Sequence, residues 1–133
     1  MRQVITKGYQ AFLDEADATI ETLEVEAVQA LLGRDDVVLV DIGDPRELEI
    51  EGKMPGAYHC PHGLWEFWID PASPYAKPQF QQDKQFVFFC AGGWRSALAA
   101  KTAQDMGLKP VAHMRGGITA WKKAGALVEG GKA

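Results

Sequence analysis

The chain alternates short, wholly apolar runs with stretches whose apolar residues recur at helical spacing. Tyr9, Phe12, Leu13 and Ala16 have the spacing of an N-terminal helix outside the main alternation. Val25, Val28, Leu31 and Leu32 form a second stripe, with Gly33 placed to end it in the left-handed conformation. Val37-Val38-Leu39-Val40 is a β-branched run without polar alternation, the pattern of a strand covered on both faces; Asp41 closes it. Asp44-Pro45 reads as an N-cap followed by proline at the first helical position, which predicts a short helix from Pro45 to about Ile50. Pro55-Gly56 marks a turn, and Ala57 to Cys60 is a short strand candidate stopped by Pro61. Leu64, Trp65, Phe67, Trp68 and Ile69 predict a short helix, and the prolines between Pro71 and Pro78 an irregular connection. Phe86-Val87-Phe88-Phe89 is the second uninterrupted strand. After it come a helix from Ser96 to Met106 ending at Gly107, a strand from Val111 to Met114, and a helix carrying Ile118, Trp121 and Lys122 that stops at Gly125.

Buried strands alternating with helices imply an α/β fold, a parallel sheet with helices on both faces. Composition agrees: 133 residues, 47% apolar and 24% charged, suit one domain with a core that needs neither disulfide nor metal. A net charge of −4 without a basic run argues against nucleic acid as a partner. No stretch approaches the roughly 18 uncharged apolar residues of a membrane span. Asp14, Glu15, Asp17 and Glu21 interrupt the region where a secretory signal would need an apolar segment. The two cysteines, Cys60 and Cys90, form no C-x-x-C pair, so a reducing, cytoplasmic setting is expected; in a secreted protein the two would be free to pair.

Chemistry concentrates in Phe88-Phe89-Cys90-Ala91-Gly92-Gly93-Trp94-Arg95-Ser96-Ala97-Leu98. A buried strand ends at a cysteine, two glycines come next, and an arginine and a serine open a helix. Ligands of open α/β sheets bind beyond the carboxyl ends of the strands, so Cys90 is expected at the mouth of a site. The glycines let successive N–H groups turn inward as an anion-receiving nest. The helix start adds unsatisfied N–H groups and the positive end of its dipole, and Arg95 a fixed charge. All three favour negative charge on the sulfur of Cys90, as a thiolate or as a persulfide.

Cys90-Ala91-Gly92-Gly93-Trp94-Arg95-Ser96 resembles the active-site loop of single-domain rhodanese-like sulfurtransferases. Val38-Leu39-Val40-Asp41-Ile42 with Pro45 and Glu47, then Met54-Pro55-Gly56-Ala57, resembles the family's first block, and Gly116-Gly117-Ile118-Thr119-Ala120-Trp121 with Gly125 its C-terminal signature. The resemblance implies a three-layer fold with a five-stranded parallel sheet, here residues 20–128 after an N-terminal helical extension 1–19 and before a flexible tail 129–133. It implies that Cys90 is the nucleophile, taking a sulfane sulfur from a donor such as thiosulfate and passing it to cyanide, a thiol or a protein acceptor. Backbone N–H groups of Ala91, Gly92, Gly93, Trp94, Arg95 and Ser96 would stabilise the persulfide, and Arg95 would support the loop or bind an anionic donor. No cofactor or metal is implied. The sequence departs from the family at Gly43, where an arginine is common, and at Lys53, where a histidine is common.

Other residues read more plainly. Cys60 before Pro61 is expected to be a buried structural thiol, with a resolving thiol as the alternative. His59 and His62 beside it are too few for a metal site. Trp65, Phe67 and Trp68 suit core or lid packing, and Trp94 either packing or a shield over the sulfur. Asp41 is expected to tie down the neighbouring loop by backbone hydrogen bonds. Two rival functions use similar parts. A phosphatase or arsenate reductase typically has one residue more between cysteine and arginine than the four here, Ala91 to Trp94. A non-catalytic interaction module would need no reactive thiol.

Overall fold

A computed structural model of the chain describes residues 2–131; Lys132 and Ala133 of the expected tail lie outside them. Five strands, β1 Glu21–Leu23, β2 Val37–Asp41, β3 Tyr58–His59, β4 Gln85–Phe89 and β5 Val111–Met114, form one sheet in the order β1-β5-β4-β2-β3. Every neighbouring pair is parallel. The helices are α1 Tyr9–Thr19, α2 Val25–Gln29, α3 Pro45–Glu51, α4 Trp65–Ile69, α5 Trp94–Met106 and α6 Gly117–Lys123. A short 3-10 turn, Pro78–Gln81, lies between α4 and β4.

Strand periodicity divides the core into two layers. Phe86 and Phe88 of β4 face one side with Leu13 and Ala16 of α1, Trp65 and Ile69 of α4, and the alanines of α5. Val87 and Phe89 face the other with Val25 and Val28 of α2 and Ile118 and Trp121 of α6. All four apolar side chains of β4 are fully buried, each stabilising the fold by about 1.5–3 kcal/mol, which is why this strand is central. Its last residue, Phe89, sits opposite Asp41 of β2. The two central strands therefore end at one level, with Cys90 immediately beyond.

Three elements differ from their sequence patterns. The edge strand β1 carries Glu-Thr-Leu, too short and polar to stand out, yet pairs with β5 from Glu21 to Leu23. The second helix stops at Gln29, and Leu31 and Leu32 pack from the turn beyond it. Finally, α5 starts at Trp94 rather than Ser96, so the loop after Cys90 is only Ala91 to Gly93, and Arg95 belongs to the first helical turn. Glu129, at the start of the expected tail, exchanges two backbone hydrogen bonds of 2.8 Å with Lys53. Among the described residues no helix is long and apolar enough to cross a membrane.

Candidate active site

The loop after β4 is held from outside so that its amides are left facing inward. The N–H of Ile118 donates to the carbonyl of Cys90 at 2.9 Å, and that of Thr119 to the carbonyl of Ala91 at 3.1 Å. In a trans peptide the N–H points opposite the C=O, so the amides of Ala91 and Gly92 point away from α6. This anchoring requires glycine at position 117, where φ is +62° and a Cβ would overlap the carbonyl oxygens of Cys90 and Ala91. Gly93 then caps α5 with φ +103°, a left-handed value that turns its N–H onto Cys90 Sγ at 3.1 Å. The first N–H groups of α5, which immediately follow Gly93, have no intrahelical partners.

A polar chain backs the loop. Ser96 Oγ lies 3.2 Å from the carbonyl of Gly93 and 3.2 Å from Nδ1 of His113 on β5, and both side chains are buried. Burial holds the His113 imidazole below its ordinary pKa, with Arg115 lowering it further and Asp17 opposing. The neutral ring thus fixes the hydroxyl that fixes the glycine that holds the sulfur. The sequence alone flagged Ser96 but not His113; a histidine in the otherwise apolar run Val111–Met114 was the one signal.

On the other side of Cys90, Asp41 Oδ1 accepts the N–H of Gly43 at 2.9 Å, so this aspartate does tie down the loop after β2. Burial pushes its carboxyl above the ordinary range, outweighing that hydrogen bond. Asp44 accepts from the N–H of Arg46 at 2.8 Å, and Glu47 Oε2 accepts from the N–H of Asp44 at 3.2 Å, a reciprocal cap on α3. The same Glu47 oxygen accepts from the Arg95 guanidinium at 3.0 Å. Sequence reasoning placed Glu47 in a family block without a role; the spacing Asp44 to Glu47 was the signal for its cap, but nothing local announced the pairing with Arg95. Arg95 thus spends its charge on a carboxylate of α3.

A small cavity of about 10 Å³ is lined by Cys90 and Ala91 together with Asp41, Glu47, Leu48, Glu51, Gly52 and Ile118. That is about the room of a single water-sized atom. Lys53 lines a separate groove with His59 and Glu129. Trp94 is 63% exposed and lies against Tyr9 of α1, ring centroids 5.2 Å apart, so it flanks the loop rather than packing in the core. Trp65 and Ile69 are core residues, while Phe67 is exposed. Cys60 is fully buried, its thiol pushed up to about 12 by burial. The His59 ring is 2.6 Å from the carbonyl of Gly43, and among the described residues no cluster is placed to hold a metal ion.

A parallel five-stranded sheet with a cysteine whose sulfur accepts a backbone N–H between β4 and α5 defines a cysteine site of the α/β class. Residues 24–124 match the family described as Rhodanese-like domain, and the chain belongs to that family. It is 33% identical over 97 residues to a protein of Allochromatium vinosum named Sulfurtransferase, covering 73% of this chain and 82% of that one. A solved structure from Rhodopseudomonas palustris, described as a protein of unknown function and possible tyrosine phosphatase, is 63% identical with a TM-score of 0.95, covering 97% and 99% of the two chains. The thiosulfate sulfurtransferase of Pseudomonas aeruginosa is 27% identical with a TM-score of 0.67, over 94% of this chain and 23% of that one. The chain spans between 53% and 82% of the length of three curated relatives that it matches. Helix α1 precedes the matched residues, and its Tyr9 packs on Trp94 from outside them.

Proposed function

We propose that this protein is a sulfurtransferase that carries a sulfane sulfur as a persulfide on Cys90. The observation that carries the reading is the Gly93 N–H donating to Cys90 Sγ at 3.1 Å, at the carboxyl end of the central strand and beside the start of α5. A sulfur anion in that position meets oriented donors that need no rearrangement. In the first half-reaction the Cys90 thiolate attacks the sulfane sulfur of a donor such as thiosulfate. The donor S–S bond breaks, sulfite leaves with its electron pair, and a Cys90–S–S⁻ persulfide remains. In the second, cyanide or a thiol attacks the outer sulfur and Cys90 leaves as a thiolate. Residues Ala91, Gly92, Gly93, Trp94, Arg95 and Ser96 act through the loop backbone and the helix start. Arg95, paired with Glu47, supports the loop rather than binding donor.

The description of the Rhodopseudomonas structure as a possible phosphatase gives that reading a hearing. One feature weighs against it: four residues stand between Cys90 and Arg95, one fewer than such enzymes typically have. The test is intact mass after incubation with thiosulfate. Gain of one sulfur, its loss on adding cyanide, and its absence in Cys90→Ser are expected. Absence of any adduct together with hydrolysis of an aryl phosphate would replace the reading.

A further inference from the structure

We propose that Glu47 and Glu51 set the donor class at Cys90, so that the preferred sulfur donor is an organic persulfide bearing an ammonium group, not an anionic donor such as thiosulfate. The inference rests on the persulfide reading above and narrows it. Every charged side chain lining the cavity at Cys90 is a carboxylate: Asp41, Glu47 and Glu51. The cation within reach, Arg95, is bound to Glu47 at 3.0 Å, and Glu51 holds Lys122 at 2.7 Å on the rim. Glycine at position 43 preserves this arrangement. A Cβ there would lie 2.7 Å from Glu47 Oε2 and 3.1 Å from Asp41 Oδ1, so no side chain enters position 43 while Glu47 caps α3. Glu47 occupies the space and engages Arg95 as Glu51 engages Lys122, so that among the described residues the cavity wall carries one carboxylate, Asp41, beyond its ion pairs.

Shape points the same way. The cavity at Cys90 is shallow and opens to solvent, so the sulfur being transferred lies at its floor and the remainder of the donor at the carboxylate-lined rim. In thiosulfate that remainder is a sulfonate bonded directly to the sulfane sulfur, and it would meet carboxylates whose cations, Arg95 and Lys122, are already engaged. In an aminothiol persulfide it is a slender chain ending in an ammonium, which complements them. The step balances. The Cys90 thiolate attacks the outer sulfur of R–S–SH, the donor S–S bond breaks, and its electron pair leaves on R–S⁻. The proton stays on the transferred sulfur as Cys90–S–SH until solvent takes it.

The experiment compares loading rates of Cys90 by intact mass, on a Cys60→Ala background so that one thiol is counted. The donors are the persulfides of cysteamine, 2-mercaptoethanol and mercaptoacetate, similar in size and differing in charge, with thiosulfate as a fourth. Loading is expected to fall in the order ammonium, hydroxyl, carboxylate, with about tenfold or more between the first and last. High salt should narrow that spread. Glu47→Gln should narrow it too, and so should Glu51→Gln, which leaves the Glu47–Arg95 pair in place; thermal melts confirm that both variants fold. Equal or faster loading from mercaptoacetate persulfide or thiosulfate overturns the proposal, as does a spread unchanged in both variants. Failure of all four donors to load Cys90 overturns the persulfide reading itself, a result distinct from loading without charge preference.

Discussion

Cys60 and Cys90 occupy matching places in the sheet and have opposite surroundings. Each stands directly after a parallel strand at its carboxyl end, β3 for Cys60 and β4 for Cys90, and each is buried to within 1%. Exposure therefore does not separate them. The next residues in the chain do. Cys60 is succeeded by Pro61, which has no N–H to offer, and its thiol faces the Pro61 carbonyl at 4.0 Å, an acceptor that suits only the neutral thiol. Burial without donors pushes that thiol up to about 12. Cys90 is succeeded by three residues whose amides are free to turn, ending in the Gly93 N–H on its sulfur. A strand-end cysteine becomes a place for negative sulfur only when the next peptide groups face it.

The largest effect should come from removing each thiol in turn. Cys90→Ser should abolish sulfur loading, whereas Cys60→Ala should keep it within about threefold and cost about 1 kcal/mol for one buried atom. Iodoacetamide at neutral pH should label Cys90 of the folded protein well before Cys60, read by peptide mapping. Cys60 labelling first would dissolve the contrast. Next in size is Gly117→Ala. The new methyl group would collide with the carbonyls that hold the loop from outside, at a left-handed φ as well. A loss of about 3 kcal/mol or more in urea unfolding is expected, with loading slowed by more than about tenfold. Gly33→Ala, also left-handed but with nothing near its Cβ, supplies the control for backbone strain alone.

How far the sequence was legible depends on the range of each interaction. The turn that brings the Gly93 N–H onto Cys90 Sγ was legible in eleven consecutive residues because strand end, glycines and helix start are local signals. The helix starts two residues before the expected Ser96, since Trp94 and Arg95 carry no capping signature of their own and Gly93 caps through its backbone angle. The Glu47–Arg95 pair joins positions 48 apart, and Ser96 meets His113 across 17. No periodicity reports such pairs; they exist because β2, β4 and β5 end side by side. Strand β1 escaped for a different reason. At the sheet edge its stability comes from pairing with β5 rather than from an apolar run of its own.

A smaller change should come from the polar chain that only Cys90 possesses. Ser96→Ala removes the hydroxyl between Gly93 and His113 without altering the helix. It leaves the Gly93 carbonyl with Ala97 N–H alone at 3.2 Å, and the buried imidazole without its partner. The expected cost is about 1–2 kcal/mol in stability, with loading slowed by up to about tenfold as the Gly93 amide loosens. Ser96→Thr, which keeps the hydroxyl, should recover part of the loading rate if the hydrogen bond is what matters.

The subtlest test is acid. His113 is held below its ordinary value of 6.5 mainly by burial, so on acidification the unfolded chain takes up this proton before the folded one does. Its contribution to stability is therefore complete above about pH 6.5 and is lost as pH falls toward the lower folded value, at up to about 1.4 kcal/mol per pH unit. His62, lowered by burial and then by Arg95, changes stability in the same direction. Asp41 changes it in the opposite direction: burial raises its carboxyl in the folded state, so protonation below the raised value favours folding down to its ordinary 3.8. The histidine response should dominate between about pH 7 and pH 5. His113→Gln retains a group that can reach Ser96 but cannot titrate, and urea unfolding of that variant should lose less stability across the window than the parent protein. An equal loss in both would assign the acid response to His62, on the Cys60 side of the molecule, and would leave the chain behind Cys90 a structural support without a titrating member.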